Sequence, residues 1–384
     1  MPTDARERAN ELLDMARSNP DATSAEAFDE LLTAADPRAR RYAIDGLQVL
    51  ASQEPAALTD RVDRLTDLLT DPDQEVRAGA SNAFAERLPG SSVAETASTL
   101  AELLDDEYPL VRWNALEALV RAARVDPETC QSFVGDVAPF LDADSEQVRL
   151  HATRFLAVVA TARPDAVAPA VDRLSDVLRT DADVTVGVEP EMRGHESVSP
   201  SRIEQLQEGV VGRRRDLRQT AGHAIYAVAE EQPSAVEDEI EQLLTLLDDP
   251  DPQVRHVVLA VLFAVGDRYA KRIAGHVETI AARFDDDQES RMVRAAASQA
   301  LAAVGTGQPE SVASAVVDRV DVVTELLDHE EPSVRASAAS LLALVAATDE
   351  DAIDPAREEL RRLTDDDVAF VREAATDALG DANP

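Results

Sequence analysis

Cysteine is nearly absent: Cys130 is the only one in 384 residues. No disulfide can form within the chain, and zinc or redox sites built on paired cysteines are excluded. Lysine is scarcer than any other charged residue, with Lys271 the only one found, and Trp113 is the only tryptophan. Aromatic residues make up 3% of the chain, too few for the usual aromatic-rich strand patterns. Long apolar runs are missing as well. The longest, 257–265, is too short to cross a bilayer, and the charged N-terminal stretch MPTDARERANELLDMARSNP has no apolar signal core. The expectation is a cytoplasmic protein with no membrane segment.

What is abundant is acid. Asp and Glu number 75 against 37 Lys and Arg, a formal net charge of −38. Such a surface repels phosphate backbones and anionic lipids, whose binding depends on Lys and Arg. Direct nucleic-acid or membrane partners are therefore not expected. In dilute buffer the excess charge pushes the compact state apart, whereas in molar salt the Debye length falls to about 3 Å and most of that repulsion disappears. The acid is spread along the whole chain, and this Lys-poor composition resembles that of haloarchaeal cytoplasmic proteins.

One block recurs: LLTDPDQEVRAGASNAF from Leu68, LLDDEYPLVRWNALEAL from Leu103, FLDADSEQVRLHATRFL from Phe140 and LLDDPDPQVRHVVLAVL from Leu246. Weaker copies begin at Leu31, Arg283, Leu326 and Arg362, and a ninth is split between VLRTD at 177–181 and DLRQTAGHAI at 216–225. The marker arginines are Arg40, Arg77, Arg112, Arg149, Arg218, Arg255, Arg294, Arg335 and Arg372, at intervals of 37, 35, 37, 69, 37, 39, 41 and 37 residues. A period of this length denotes stacked supersecondary units, and the single long interval denotes one insertion. Each period reads as two helices. Prolines such as Pro55, Pro127, Pro164, Pro233 and Pro309 open the first, where the missing N–H costs nothing. After the Leu-Leu pair an acidic turn supplies an Asp N-cap, and the second helix carries apolar or small residues such as Val76, Ala80, Ala83 and Phe84 on one face. A single hairpin cannot bury both of its apolar faces, so neighbours must stack.

The pattern LLxDxxxxVRxxAxxAL resembles the HEAT repeat family, particularly the HEAT-like repeats first associated with phycobiliprotein lyases, over roughly 24–380. The resemblance implies an all-α solenoid of about nine hairpins in a curved superhelix, one domain over 1–384. Within it, 1–22 would form a capping helix, 23–380 the stacked hairpins and 182–213 an insertion loop in the fifth hairpin, with a short helix after Pro200. The resemblance also implies an Asp–Arg ladder joining adjacent hairpins: Asp71 or Asp73 with Arg77, Asp105 with Arg112, Asp142 with Arg149 and Asp248 with Arg255. Arg77, Arg112, Arg149, Arg218, Arg255, Arg294, Arg335 and Arg372 are accordingly read as structural.

The family includes enzymes. HEAT proteins of the deoxyhypusine hydroxylase type hold two irons on His-Glu pairs placed directly after the V-R pair. Here those positions carry other residues, and His195-Glu196 and His329-Glu330 fall in the insertion and in a turn. Cys130 has no adjacent base in the sequence to activate it, and no P-loop, GxSxG or HExxH motif occurs. No catalytic residue, metal ligand or cofactor is expected.

Counting the Val of V-R as position 0, positions +2 and +6 of the second helices are expected to point away from the stack. There Trp113, Leu150, Arg154, His223 and His256 stand out from small or polar neighbours, and Trp and Arg are enriched at binding hot spots. This is the candidate partner groove; the competing reading is that Trp113 packs on Tyr108 or a neighbouring helix and fills space. His223 and His256 are too few to make a metal site. The second candidate is the insertion, which brings Arg213, Arg214 and Arg215 into an acidic molecule and suits an acidic partner or phosphate, unless those arginines merely neutralise nearby carboxylates. The reading is a monomeric, non-enzymatic scaffold or adaptor for another protein. Its rivals are a taxis-signalling adaptor, a lyase- or hydroxylase-type enzyme, and a subunit of a chromosome-associated complex.

Overall fold

The computed structural model describes residues 2–180, 200–285 and 289–380. These residues form helices joined by turns, with no strand among them. Two compact units divide the chain, Met1–Val167 and Ala168–Pro384.

In the first unit, α1 (Pro2–Ser18) packs on α2 (Pro37–Ala51), which is followed by α3 (Gln74–Glu86), α4 (Pro109–Ala123) and α5 (Glu146–Ala162), each against the one before. In the second unit, α6 (Pro200–Glu231), α7 (Pro252–Gly266), α8 (Arg291–Gly305), α9 (Pro332–Thr348) and α10 (Ala369–Ala378) are stacked in the same way. From α2 onward these are the second helices of the hairpins. Their starts follow from local chemistry. Asp36, Asp73 and Asp251 accept N–H groups of the first turn on their carboxylates, and Ser290 does so on its hydroxyl. Pro37, Pro109, Pro252 and Pro332 occupy first positions that need no donor.

The first helices are not continuous. Each breaks into short α and 3₁₀ pieces around a residue near φ −100°, ψ 0°, as at Arg61, Thr96 and Phe133 in the first unit and at Ala170, His276 and Arg319 in the second. The Leu-Leu pair that closes each first arm is commonly 3₁₀ and buried, as at Leu103-Leu104 and Leu326-Leu327.

Arginine and acid interlock the hairpins, in a register different from the one expected. Arg77 pairs with Asp106 in the following turn, at 2.6 and 3.0 Å, while its own turn supplies main-chain carbonyls: Arg77 donates to the oxygens of Asp71 and Pro72. Arg40 takes Asp71 at 2.7 Å, Arg255 takes Glu289 at 2.7 and 2.9 Å, and Arg335 takes Asp366 at 2.9 and 3.1 Å. Arg218 forms a two-point pair with Asp249. Arg112, Arg149 and Arg372 donate to carbonyls six residues earlier. The acids named with Arg77 and Arg255 from sequence are thus replaced by Asp106 and Glu289, one repeat further on. Each turn acid also holds its own turn: Asp106, Asp249 and Asp366 accept the N–H groups of Tyr108, Asp251 and Val368. Arg335's hydrogen bond is the main reason the Asp366 carboxyl lies below its ordinary pKa.

The insertion also departs from expectation. Residues 181–199, with His195-Glu196, lie outside the described residues. From Pro200 onward the chain is not a loop with a short helix but one 32-residue helix, α6, continuous with the second helix of the fifth hairpin. Gly222 on α6 sits where a Cβ would come within 2.4 Å of Val257 Cγ1 on α7. Gly222→Ala is expected to cost about 1–3 kcal/mol by forcing these helices apart, read as a lower denaturation midpoint. A Gly222→Ala protein as stable as wild type would show that the contact is not tight.

Candidate interaction surface

Trp113 lies one turn into α4. Its ring meets His151 of α5 edge-on, with centroids 5.3 Å apart and planes at 74°. Gln147 lies 3.2 Å from His151 Nε2. His151 is buried. Burial first, and then the Arg154 charge, push its pKa down to about 4, so the ring is neutral at physiological pH. Glu117 is displaced upward, mainly by burial, with the carboxylate of Glu86 adding to the effect.

Behind this face α4 is anchored on α3. Asn114, at +3, is buried and donates to Ala78 O at 3.0 Å and Ser81 Oγ at 3.1 Å. Arg121 donates to the carbonyls of Phe84, Ala85 and Leu88, capping the end of α3. Tyr108 does not stack on Trp113; its hydroxyl donates to Glu75 at 3.1 Å. Trp113 packs instead on the neighbouring helix α5, through His151. Between the start of α4 and the start of α5 is a cavity of about 380 Å³ whose walls include Pro109, Trp113, Leu116, Phe140 and Val148. Leu110, 47% exposed, stands one turn before Trp113 on the same face.

The expected groove residues fare differently. Trp113 and Arg154 are half-buried on this face. Leu150 is not on the surface at all, being 3% exposed. Buried residues run most of the way round α5, including Leu150, His151, Ala152, Thr153, Phe155 and Leu156, so position +2 there belongs to the core. His223, exposed, and His256, half-buried, belong to the second unit. Burial, with His223's charge second, lowers the His256 pKa. His256 borders a polar cavity of about 320 Å³ that also touches His329 and Glu331. His329 Nδ1 accepts the Glu331 N–H at 3.1 Å. Arg213 is exposed, Arg214 is half-buried, and Arg215 pairs with Asp251 at 3.1 Å.

Among the described residues, no group of three or more His, Cys, Asp or Glu side chains is placed to hold a metal ion. Cys130 is buried, and burial pushes its thiol up to about 11. It is expected to stay unlabelled by an aromatic disulfide reagent until the first unit unfolds; rapid labelling of native protein would contradict its placement. Sequence reasoning missed His151, Phe140 and Val148. The only available signal was that Asn114 and His151, both polar, share position +3 of consecutive repeats.

Residues 24–120 and 62–135 match the family model described as HEAT repeats. Over its whole length the chain is similar to an engineered protein solved by the Northeast Structural Genomics Consortium, at 25% identity and a TM-score of 0.73, covering 98% of this chain and 95% of that one. A designed armadillo repeat protein is similar at 19% identity and a TM-score of 0.49, covering 65% of this chain and 100% of that one. Among curated proteins nothing matches. The match to the HEAT-repeat model and the likeness to the engineered protein support a HEAT-like repeat chain. Its fold class is the all-α solenoid, a repeat architecture typical of protein-interaction scaffolds. No helix among the described residues is long and apolar enough to cross a membrane.

Proposed function

We propose that this protein is a non-enzymatic, monomeric scaffold or adaptor that binds another protein through the second-helix face of its first unit, centred on Trp113. The observation that carries this reading is the pairing of a half-buried Trp with an adjacent apolar cavity. Hot spots favour that combination: a rigid aromatic anchor beside a pocket a partner side chain can fill. His223, His256 and Arg213 belong to the second unit and form a separate candidate surface there. The scaffold works in a salt-filled, haloarchaeal-type cytoplasm, a reading supported by the acid excess of 75 to 37 and the scarcity of lysine. The same charge disfavours direct contact with nucleic acid or lipid.

Capture from the source cell in molar KCl, with mass spectrometry, tests the reading. Wild type is expected to retain a discrete partner that Trp113→Ala/Arg154→Ala loses; an identical set from both proteins would remove this face from consideration. Thermal stability is expected to rise steadily with KCl as self-repulsion is screened. A melting temperature indifferent to salt would count against the halophilic setting.

A further inference from the structure

The cavity between α4 and α5 suggests more than general stickiness. Its walls are apolar, from Pro109, Trp113, Leu116, Phe140 and Val148, and Asp144 stands in its lining. Asp144 in the lining is exposed, and Glu107, just before Pro109, is 86% exposed at the side chain, with one oxygen 3.9 Å from Arg77. Glu75 and Glu86 lie exposed on the neighbouring α3. Of the nearby cations, Arg112 lines the cavity but donates to the carbonyls of Asp106 and Glu107, Arg121 donates to three carbonyls at the end of α3, and Arg154 is half-buried with its charge acting on His151 and Glu117. An apolar pocket of about 380 Å³ is of a size that takes a single large side chain. An acidic rim favours positive charge on either side of it and repels an acidic segment.

We propose that the partner presents a basic segment carrying one large apolar residue, which inserts between α4 and α5 against Trp113 while flanking Arg or Lys side chains meet Asp144 and Glu107. This rests on the scaffold reading above and names the chemistry of what that face binds. Charge complementarity selects this occupant over an acidic helix and over a second copy of this chain, whose surface is itself strongly acidic.

Trp113 is the only tryptophan, so its fluorescence reports on the pocket directly. The probes are three synthetic peptides: a central Leu flanked by two Arg on each side, the same with Ser for Leu, and the same with Glu for every Arg. They are titrated into the full chain at the lowest KCl that keeps the far-UV circular dichroism native, and again in molar KCl. The Arg-Leu peptide is expected to shift the emission saturably, and the Ser and Glu peptides to bind at least about ten-fold more weakly. Molar KCl should shrink the charge preference while leaving the Leu dependence. Val148→Phe, which fills the cavity and keeps the reporter, is expected to weaken the Arg-Leu peptide at least about ten-fold with the melting temperature unchanged.

Equal binding of the Arg-Leu and Ser peptides overturns the pocket, since adsorption to acid would explain both. Equal binding of the Arg-Leu and Glu peptides, abolished by Val148→Phe, overturns the basic partner and leaves the scaffold reading standing. A concentration-dependent dimer lost in Val148→Phe shows that a second copy is the occupant and likewise overturns the inference. No response to any peptide, together with capture unaffected by Val148→Phe, sinks both the inference and the site reading.

Discussion

Arg218→Met is expected to destabilise the second unit by about 3–5 kcal/mol, the usual cost of stranding one partner of a buried ion pair. Arg218 is 2% exposed, donates to Leu178 O at 2.8 Å and pairs at two points with Asp249, which is 9% exposed at the side chain. Without the guanidinium, the Asp249 carboxylate has lost its charged partner and the Leu178 carbonyl its donor. Asp249 still accepts the Asp251 N–H, so the turn persists while its charge is uncompensated. Because repeat stacks unfold in parts, the reading should be local: amide exchange in α6 and α7 speeds up while the first unit is unchanged. Adding Asp249→Asn preserves the turn acceptor and removes the stranded charge. The double variant is therefore expected to lose less than the sum of the two single losses. Additive losses would show that Arg218 stabilises by packing alone.

His151 makes the first unit sensitive to acid. Its folded pKa of about 4 lies below its ordinary value of 6.5, so between these values the unfolded chain binds a proton that the folded chain refuses. By linkage, stability rises with pH across that window. The contribution is fully present above about pH 7 and is lost progressively as pH falls toward 4, by about 3 kcal/mol at most. The many carboxylates titrate near the lower end of the window, so wild type alone is uninformative. The comparison is with His151→Gln, followed by the unfolding-linked fluorescence of Trp113, which touches His151. The stability of wild type relative to the variant is expected to fall by about 2–3 kcal/mol from pH 7.5 to 4. Parallel curves would mean that His151 is not the buried neutral ring described.

The hairpins were legible because the V-R pair and the Leu-Leu pair recur at nearly constant spacing. The register of the ladder was not, and the reason lies in the periodicity. Asp71 and Asp106 occupy equivalent places in successive turns, so spacing alone cannot say whether Arg77 reaches backward or forward. Only the structure shows that it takes its own turn's carbonyls and the next turn's carboxylate. The breaks in the first helices left no mark because the residues at the break, Arg61, Thr96, Phe133 and Ala170, share no chemistry. A short helix after Pro200 was expected, but not its length: each glycine costs a helix only about 1 kcal/mol, and α6 runs on through Gly209 and Gly212. At the candidate surface, Trp113 could be placed from its position in the repeat. Leu150 could not, because buried residues wrap most of the circumference of α5 and erase the outward stripe.

The most direct test of the scaffold account is site-specific photocrosslinking in the source cell. A benzophenone amino acid replaces Leu110, 47% exposed beside Trp113, or, as a control, Val125, 53% exposed just beyond the far end of α4. The account predicts one discrete crosslinked protein from position 110, absent from position 125 and lost when Trp113→Ala is added. No product from 110, or the same products from both positions, would contradict it.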